Sequence, residues 1–307
     1  MLLVWTSWSI YQQIIRQSDL STAYQQMLLV LNRPTASIYI VLAIILMPVN
    51  WILETYKWYV LLRREMNISF FKCLRAVLAG LSLSMNTPNR IGEYIGRIFY
   101  LENNQRLKAA HFSVISGLSQ LSITCTAGFL SLFLLRNEFH IAGIDSLLIL
   151  CVSFLITLLI LGLYFFYEQI VDWLTRNVLF KRWLPSFSPL TPLPKSLRFN
   201  VLAVSLIRFI IFTTQYLLIF HAFGVKFDYM TGFAIVSIIF LIMAIIPTIA
   251  IAELGIRGKV ALVVAGQFTS QLLAVTTGTA VIWFLNLIIP SVIGLIFLSR
   301  FPLNKRT

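Results

Sequence analysis

Long apolar runs organise this chain. Pro34 to Leu53, Ala109 to Leu135, Ser146 to Tyr167, Tyr229 to Ala252 and Val260 to Ser299 contain no Lys, Arg, Asp or Glu. At about 1.5 Å per residue, each is long enough to cross roughly 30 Å of hydrocarbon as a helix. A membrane β-barrel would instead alternate apolar and polar positions over strands of about ten residues. The continuous Leu, Ile and Phe runs do not alternate. The pattern predicts an all-α, polytopic integral membrane helical bundle of about seven to eight spans, forming one membrane domain over residues 1–307.

Composition makes lipid the solvent. The chain is 59% hydrophobic and 11% charged, with a mean hydropathy of +0.86, which excludes a water-soluble domain. A net charge of +13 would elsewhere point to nucleic acid. Here the basic residues flank the apolar runs, so the expected partners are membrane lipids with anionic headgroups and no nucleic acid. Cys73, Cys125 and Cys151 lie in apolar surroundings without metal-ligand spacing, implying neither a disulfide framework nor a zinc site. His111, His140 and His221 are scattered. No Walker-type phosphate loop or nucleophile with its base is present, so no cofactor, no metal and no enzymatic activity are expected.

Charge asymmetry orients the chain. The connection from Glu168 to Arg198 carries Arg176, Lys181, Arg182, Lys195 and Arg198 against Glu168 and Asp172, whereas the one holding Arg136, Glu138 and Asp145 is net acidic. The first is expected in the cytoplasm and the second outside. Alternation then puts Arg63, Arg64, Arg106 and Lys108 inside, so the Ile68 to Leu101 region must be a hairpin or a re-entrant pair. Between Tyr229 and Arg300 an odd number of crossings is needed, met by three spans or by one span with a re-entrant pair. The expected location is the inner (cytoplasmic) membrane, multi-pass, with a cytoplasmic C-terminus. Residues 1–15 read as an interfacial helix or as the remainder of a first span. Residues 169–183 read as an amphipathic surface helix on the cytoplasmic side, leading into a proline-rich connection.

Ionisable residues at membrane depth are penalised by about 2.5–3.5 kcal/mol on insertion scales and usually face a cavity or partner. In Asn86-Thr-Pro-Asn-Arg-Ile-Gly-Glu-Tyr-Ile-Gly-Arg97, Pro88 suits a first helical turn, and Arg90, Glu93 and Arg97 recur on one face at spacings of three and four. Gly92 and Gly96 lie at small-xxx-small spacing on another face, suited to close helix contact. In Pro247-Thr-Ile-Ala-Ile-Ala-Glu-Leu-Gly-Ile-Arg257-Gly-Lys259, the proline breaks a helix and Glu253 and Arg257 follow. Glu54 and Arg208 each interrupt an apolar span, while Lys57 fits interfacial snorkelling. Arg90, Glu93, Arg97, Glu253, Arg257, Arg208 and Glu54 are the candidate substrate-binding residues; a structural ion pair is the competing reading for each helix-break group.

These segments carry a resemblance. Trp51 to Arg63 (WILETYKWYVLLR), Asn86 to Arg97 (NTPNRIGEYIGR) and Ile246 to Lys259 (IPTIAIAELGIRGK) are similar to the membrane region of lysylphosphatidylglycerol synthases and their stand-alone, flippase-like relatives. The third segment departs from the family pattern: Gly258 stands where relatives have Glu, and Glu253 where they have Gly. The resemblance implies translocation of an anionic or aminoacylated lipid, or a polyprenyl-phosphate-linked substrate, across the membrane. It also implies that lipid synthesis belongs to a separate soluble domain, for which these residues leave no segment. The alternative is a non-catalytic scaffold or regulatory subunit of envelope lipid synthesis, with an envelope-synthesis partner; a homo-oligomer is compatible with either.

Overall fold

A computed structural model describes residues 20–85, 87, 91–102, 105–140, 143–176, 192–247 and 250–299. Arg90, residues 1–15 and residues 177–183 of the expected surface helix lie outside these. Among the described residues the chain is helical: α1 Leu20–Leu31, α2 Pro34–Leu62, α3 Phe70–Ser84, α4 Ile91–Phe99, α5 Arg106–Leu134, α6 Ser146–Phe165, α7 Tyr167–Arg176, α8 Lys195–Ala222, α9 Tyr229–Ile245, α10 Ala250–Ala265 and α11 Leu272–Ser299. Five of them, α2, α5, α6, α8 and α11, are long and apolar enough to cross a membrane. The apolar run from Tyr229 to Ala252 is divided between α9 and α10.

Local chemistry sets several boundaries. Pro34 starts α2, where its missing N–H costs nothing. Ser69 Oγ accepts from Lys72 N at 3.3 Å, Asp145 from Leu147 N at 3.0 Å and Asp228 from Met230 N at 3.2 Å, capping α3, α6 and α9. The helix α11 passes through a π-helical turn at Phe284–Ile288, which turns Asn286 toward Asn50 Nδ2 at 3.4 Å.

Antiparallel α2 and α8 form the centre. The Tyr39 and His221 rings are 5.9 Å apart, Gln215 Nε2 donates to Ala43 O at 2.8 Å, and Arg64 Nη1 donates to Pro192 O at 3.0 Å beyond the other end of the pair. Lys108 meets Glu65 at 2.9 Å, so α5 starts at the end where α2 finishes. The hairpin α3–α4 therefore enters and leaves at one end, as the charge pattern requires. Its arms of 15 and 9 residues reach about 22 and 14 Å, too short for a crossing. The hairpin α9–α10 does the same at the opposite end: it follows α8, and His140 N, just past α5, donates to Gln267 Oε1 at 2.9 Å beside the exit of α10.

The second half thus repeats the first in inverted sense, with α6 as the extra crossing between them. A buried glycine marks each equivalent contact. Gly128 of α5 packs on Leu241 of α9, and Gly294 of α11 packs on Leu78 O and Ser82 Oγ of α3. Each glycine is twenty-two residues past the start of its helix, at Arg106 and Leu272. Ser82 Oγ also donates to Ser291 O at 2.5 Å.

A buried clamp fastens the α6–α7 junction to α8. Glu168 pairs with Arg198 and accepts from Leu193 N at 3.1 Å; Tyr164 OH donates to Arg198 O, and Arg198 Nη1 to Tyr164 O, both at 2.8 Å. Glu168→Gln leaves a buried guanidinium without its counter-charge and is expected to destabilise the fold by about 3–5 kcal/mol, read as a lower Tm of the detergent-solubilised protein. The first hairpin is packed backbone to backbone: a Cβ at Gly96 would lie 2.5 Å from Gly80 Cα, and one at Gly92 would lie 2.4 Å from Leu83 O. Gly96→Leu should cost at least the ~1–3 kcal/mol of ordinary overpacking and reduce folded yield. Gly162→Leu, where a Cβ would meet nothing within 4 Å, should leave the yield unchanged.

Candidate functional site

The buried stripe of α2, Asn50, Trp51, Glu54, Lys57, Trp58 and Leu61, recurs at helical spacing and faces the interior, while Ile38, Val41, Ile45 and Ile52 are exposed. This periodicity takes Glu54 out of lipid and into the bundle. Glu54 is 7% exposed, and its carboxylate receives three cations. Arg97 Nη2 from α4 donates to Oε1 at 2.8 Å. Lys57 Nζ lies 3.0 Å and Arg208 Nη1 from α8 3.3 Å from Oε2. Arg97 also pairs with Glu93, one turn before it on α4. Two tryptophans support the cations: the Arg97 guanidinium carbon is 5.9 Å from the Trp58 ring and that of Arg208 5.8 Å from the Trp51 ring.

Four of the seven residues singled out in the sequence thus meet in one cluster: Glu54, Glu93, Arg97 and Arg208. Lys57 was expected to snorkel to the interface, and the structure corrects this. It is 0% exposed because Glu54, Gln120 Oε1 at 3.3 Å and Ser116 O at 3.4 Å supply one acceptor for each of its N–H groups. Gln120 was also missed. It is an amide in an otherwise uncharged span, and that was its only signal. Its Oε1 accepts from Arg208 Nη1 at 3.0 Å as well.

The second helix break builds a smaller group. Glu253 and Arg257, one turn apart on α10, are paired, and Arg257 Nη1 reaches Tyr216 OH of α8 at 3.1 Å. The tyrosine has no recognisable local signal, since only the tertiary contact gives it a role. Among the histidines, His111 Nδ1 faces Tyr167 OH at 2.9 Å and His221 Nδ1 faces Leu217 O at 2.7 Å, contacts that join helices and turns.

Two cavities adjoin these groups. One of about 480 Å³ is lined on its polar side by Gln120, Thr124, Arg208, Glu253 and Arg257, and on the other by Phe209, Phe212, Phe240, Met243 and Ile246. Its aromatic wall is well packed: the Phe212 and Phe240 rings stack at 5.0 Å and Tyr216 meets Phe240 edge-on at 5.3 Å. The other, about 400 Å³, is lined by Trp51, Glu54, Glu93, Tyr94, Ser116 and again by Gln120, Thr124 and Arg208. Volumes of this order suit a small ligand or headgroup.

In the larger cluster three cations, Lys57, Arg97 and Arg208, face two carboxylates, Glu54 and Glu93. Among the described residues one positive charge is left over in a poorly solvated setting, while Glu253 is paired with Arg257. Among the described residues no group of three His, Cys, Asp or Glu is placed to hold a metal ion. No curated protein matches the chain. Residues 27–294 match the family described as the lysylphosphatidylglycerol synthase TM region. The chain is therefore a multi-pass integral membrane protein of flippase-like fold, and it belongs to the lysylphosphatidylglycerol synthase TM-region family.

Proposed function

We propose that this chain translocates a lipid with an anionic headgroup, phospholipid or polyprenyl-phosphate-linked, between the leaflets of the cytoplasmic membrane. The observation that carries this reading is the surplus positive charge of the Glu54 cluster at the wall of two cavities, one of which is polar on one side and aromatic on the other. A lone charge removed from water costs several kcal/mol, and a phosphodiester supplies the missing negative charge while its acyl chains suit the phenylalanine wall. Glu93, Arg97, Arg208, Glu54, Glu253 and Arg257 are the substrate-facing residues of this proposal.

The inverted arrangement supports the vectorial part of the reading. The hairpin α3–α4 contributes Glu93 and Tyr94 to the smaller cavity, and α9–α10 contributes Glu253 and Arg257 to the larger one. As re-entrant pairs inserted from opposite sides, they give each leaflet one cavity. Arg63, Arg64, Lys72, Arg106, Lys108 and Lys195 gather at the end where α2 finishes, and the positive-inside rule puts that end, and the C-terminus beyond α11, in the cytoplasm.

Proteoliposomes carrying acyl-chain-labelled phosphatidylglycerol, with the outer leaflet quenched chemically, test the proposal: movement should exceed that in protein-free vesicles, and none for any anionic lipid would overturn it. Arg208→Gln should slow that movement about tenfold or more, the loss of one charge-assisted hydrogen bond, with little change in Tm because its side chain is the most exposed of the three cations. Glu54→Gln has the opposite profile. It leaves three cations around a neutral amide and should cost about 3–5 kcal/mol of stability, read as a lower Tm and a low folded yield.

A further inference from the structure

Gln120 lies midway along α5, and its Oε1 accepts from two cations of different helices, Lys57 Nζ of α2 at 3.3 Å and Arg208 Nη1 of α8 at 3.0 Å. Gln120, Thr124 and Arg208 are also the residues that line both cavities, so the Gln120–Arg208 hydrogen bond belongs to the wall between them. A carboxylate would be the obvious acceptor for two cations. The chain places a neutral amide there, and among the described residues the cluster keeps one positive charge in excess.

The three cations are not equally committed. Lys57 has an acceptor for each N–H, and Arg97 is held by two carboxylates, with a side chain 3% exposed. The Arg208 side chain is 16% exposed, makes the longest of the Glu54 contacts at 3.3 Å, and uses Nη1 for both of its polar contacts. Among the described residues its Nε, like that of Arg97, has no hydrogen-bond partner, and its Nη2 has none either. A guanidinium edge of this kind matches two oxygens of one phosphate.

We infer that Gln120 is a specificity-determining positioning residue: it tethers Arg208 across the wall between the two cavities without neutralising it, so that a phosphodiester headgroup can take Arg208 over. The inference rests on the translocation reading for its substrate and deepens it by naming the residue that sets charge selectivity. A carboxylate at 120 would hold Arg208 by an ion pair and cancel the surplus charge. An apolar side chain of similar size would release Arg208 while keeping the charge.

Two measurements on the full chain separate this inference from the reading beneath it. In proteoliposomes, the rates for acyl-labelled phosphatidylglycerol and phosphatidylcholine are compared for wild type, Gln120→Glu and Gln120→Met. Gln120→Glu should reduce the phosphatidylglycerol rate about tenfold or more, as expected for a lost charge-assisted hydrogen bond, and leave the phosphatidylcholine rate unchanged. Gln120→Met should lower the ratio of the two rates by less. Equal slowing of both lipids, the signature of a structural role, would overturn the inference. Thermal shift in detergent gives a readout independent of transport: dihexanoyl-phosphatidylglycerol, but not dihexanoyl-phosphatidylcholine, should raise the Tm of wild type and of Gln120→Met, and neither should raise that of Gln120→Glu. If wild type moves no lipid yet shows this pattern, translocation fails while Gln120 keeps its role. Equal stabilisation of wild type and Gln120→Glu by the anionic lipid overturns that role, and stabilisation by inorganic phosphate as large as by the lipid overturns the headgroup assignment.

Discussion

One carboxylate, Glu54, holds the centre of this structure. It meets a lysine from its own helix, an arginine from the hairpin α3–α4 and an arginine from the antiparallel partner α8. In low dielectric each of these charges would be costly alone, and each is retained because the carboxylate and its hydrogen-bonding neighbours share it. The cluster therefore couples three separately inserted segments. The packing around it follows the same need: Trp51 and Trp58 cover two of the cations, and Ser116 and Gln120 of α5 complete the shell of Lys57.

Helices that stop inside a bundle leave backbone groups to satisfy, which lipid cannot do. The first break is supplied from within: Thr87 Oγ1 accepts from Gly92 N at 2.8 Å and donates to Ser84 O at 3.3 Å. Close glycine packing then presses α4 against α3, and Gly294 of α11 against α3. The two hairpins share an outline, a Glu-x-x-x-Arg turn after a break, Glu93 with Arg97 on α4 and Glu253 with Arg257 on α10, without sharing the surrounding residues.

Much of this was legible in the sequence, because membrane insertion writes its rules into short segments. Uncharged runs gave the long helices, the basic flanks required α3–α4 to return to its starting end, and charges at depth marked Glu54, Glu93, Arg97, Arg208, Glu253 and Arg257. What was hidden is relational. Lys57 near a helix end fits snorkelling until Gln120, sixty-three residues later, is known to face it. Tyr216 is one aromatic residue among many until Arg257 reaches it. For the stretch from Tyr229 to Arg300, local pattern leaves three spans and one span with a re-entrant pair equally open, and His140 meeting Gln267, a contact between halves, fits both, since either returns the chain to the end where α8 finishes.

The halves differ at one chemically decisive position. Glu54 lies twenty residues past the start of α2 and Tyr216 twenty-one past the start of α8, and each receives the arginine of its own half's hairpin, Arg97 or Arg257. The tyrosine offers a hydrogen bond and no charge, and Arg257 takes its counter-charge from Glu253. In the first group the described residues leave one positive charge over, and Arg208, a residue of the second half, carries it to the wall between the cavities. A translocation pathway must attract its substrate without trapping it, which requires favourable but competitive binding along the route. In the translocation proposed above, Glu54 would provide the competition: it keeps a claim on Arg208 at 3.3 Å, so a phosphate taking the guanidinium would do so against a resident carboxylate and could be displaced by it again.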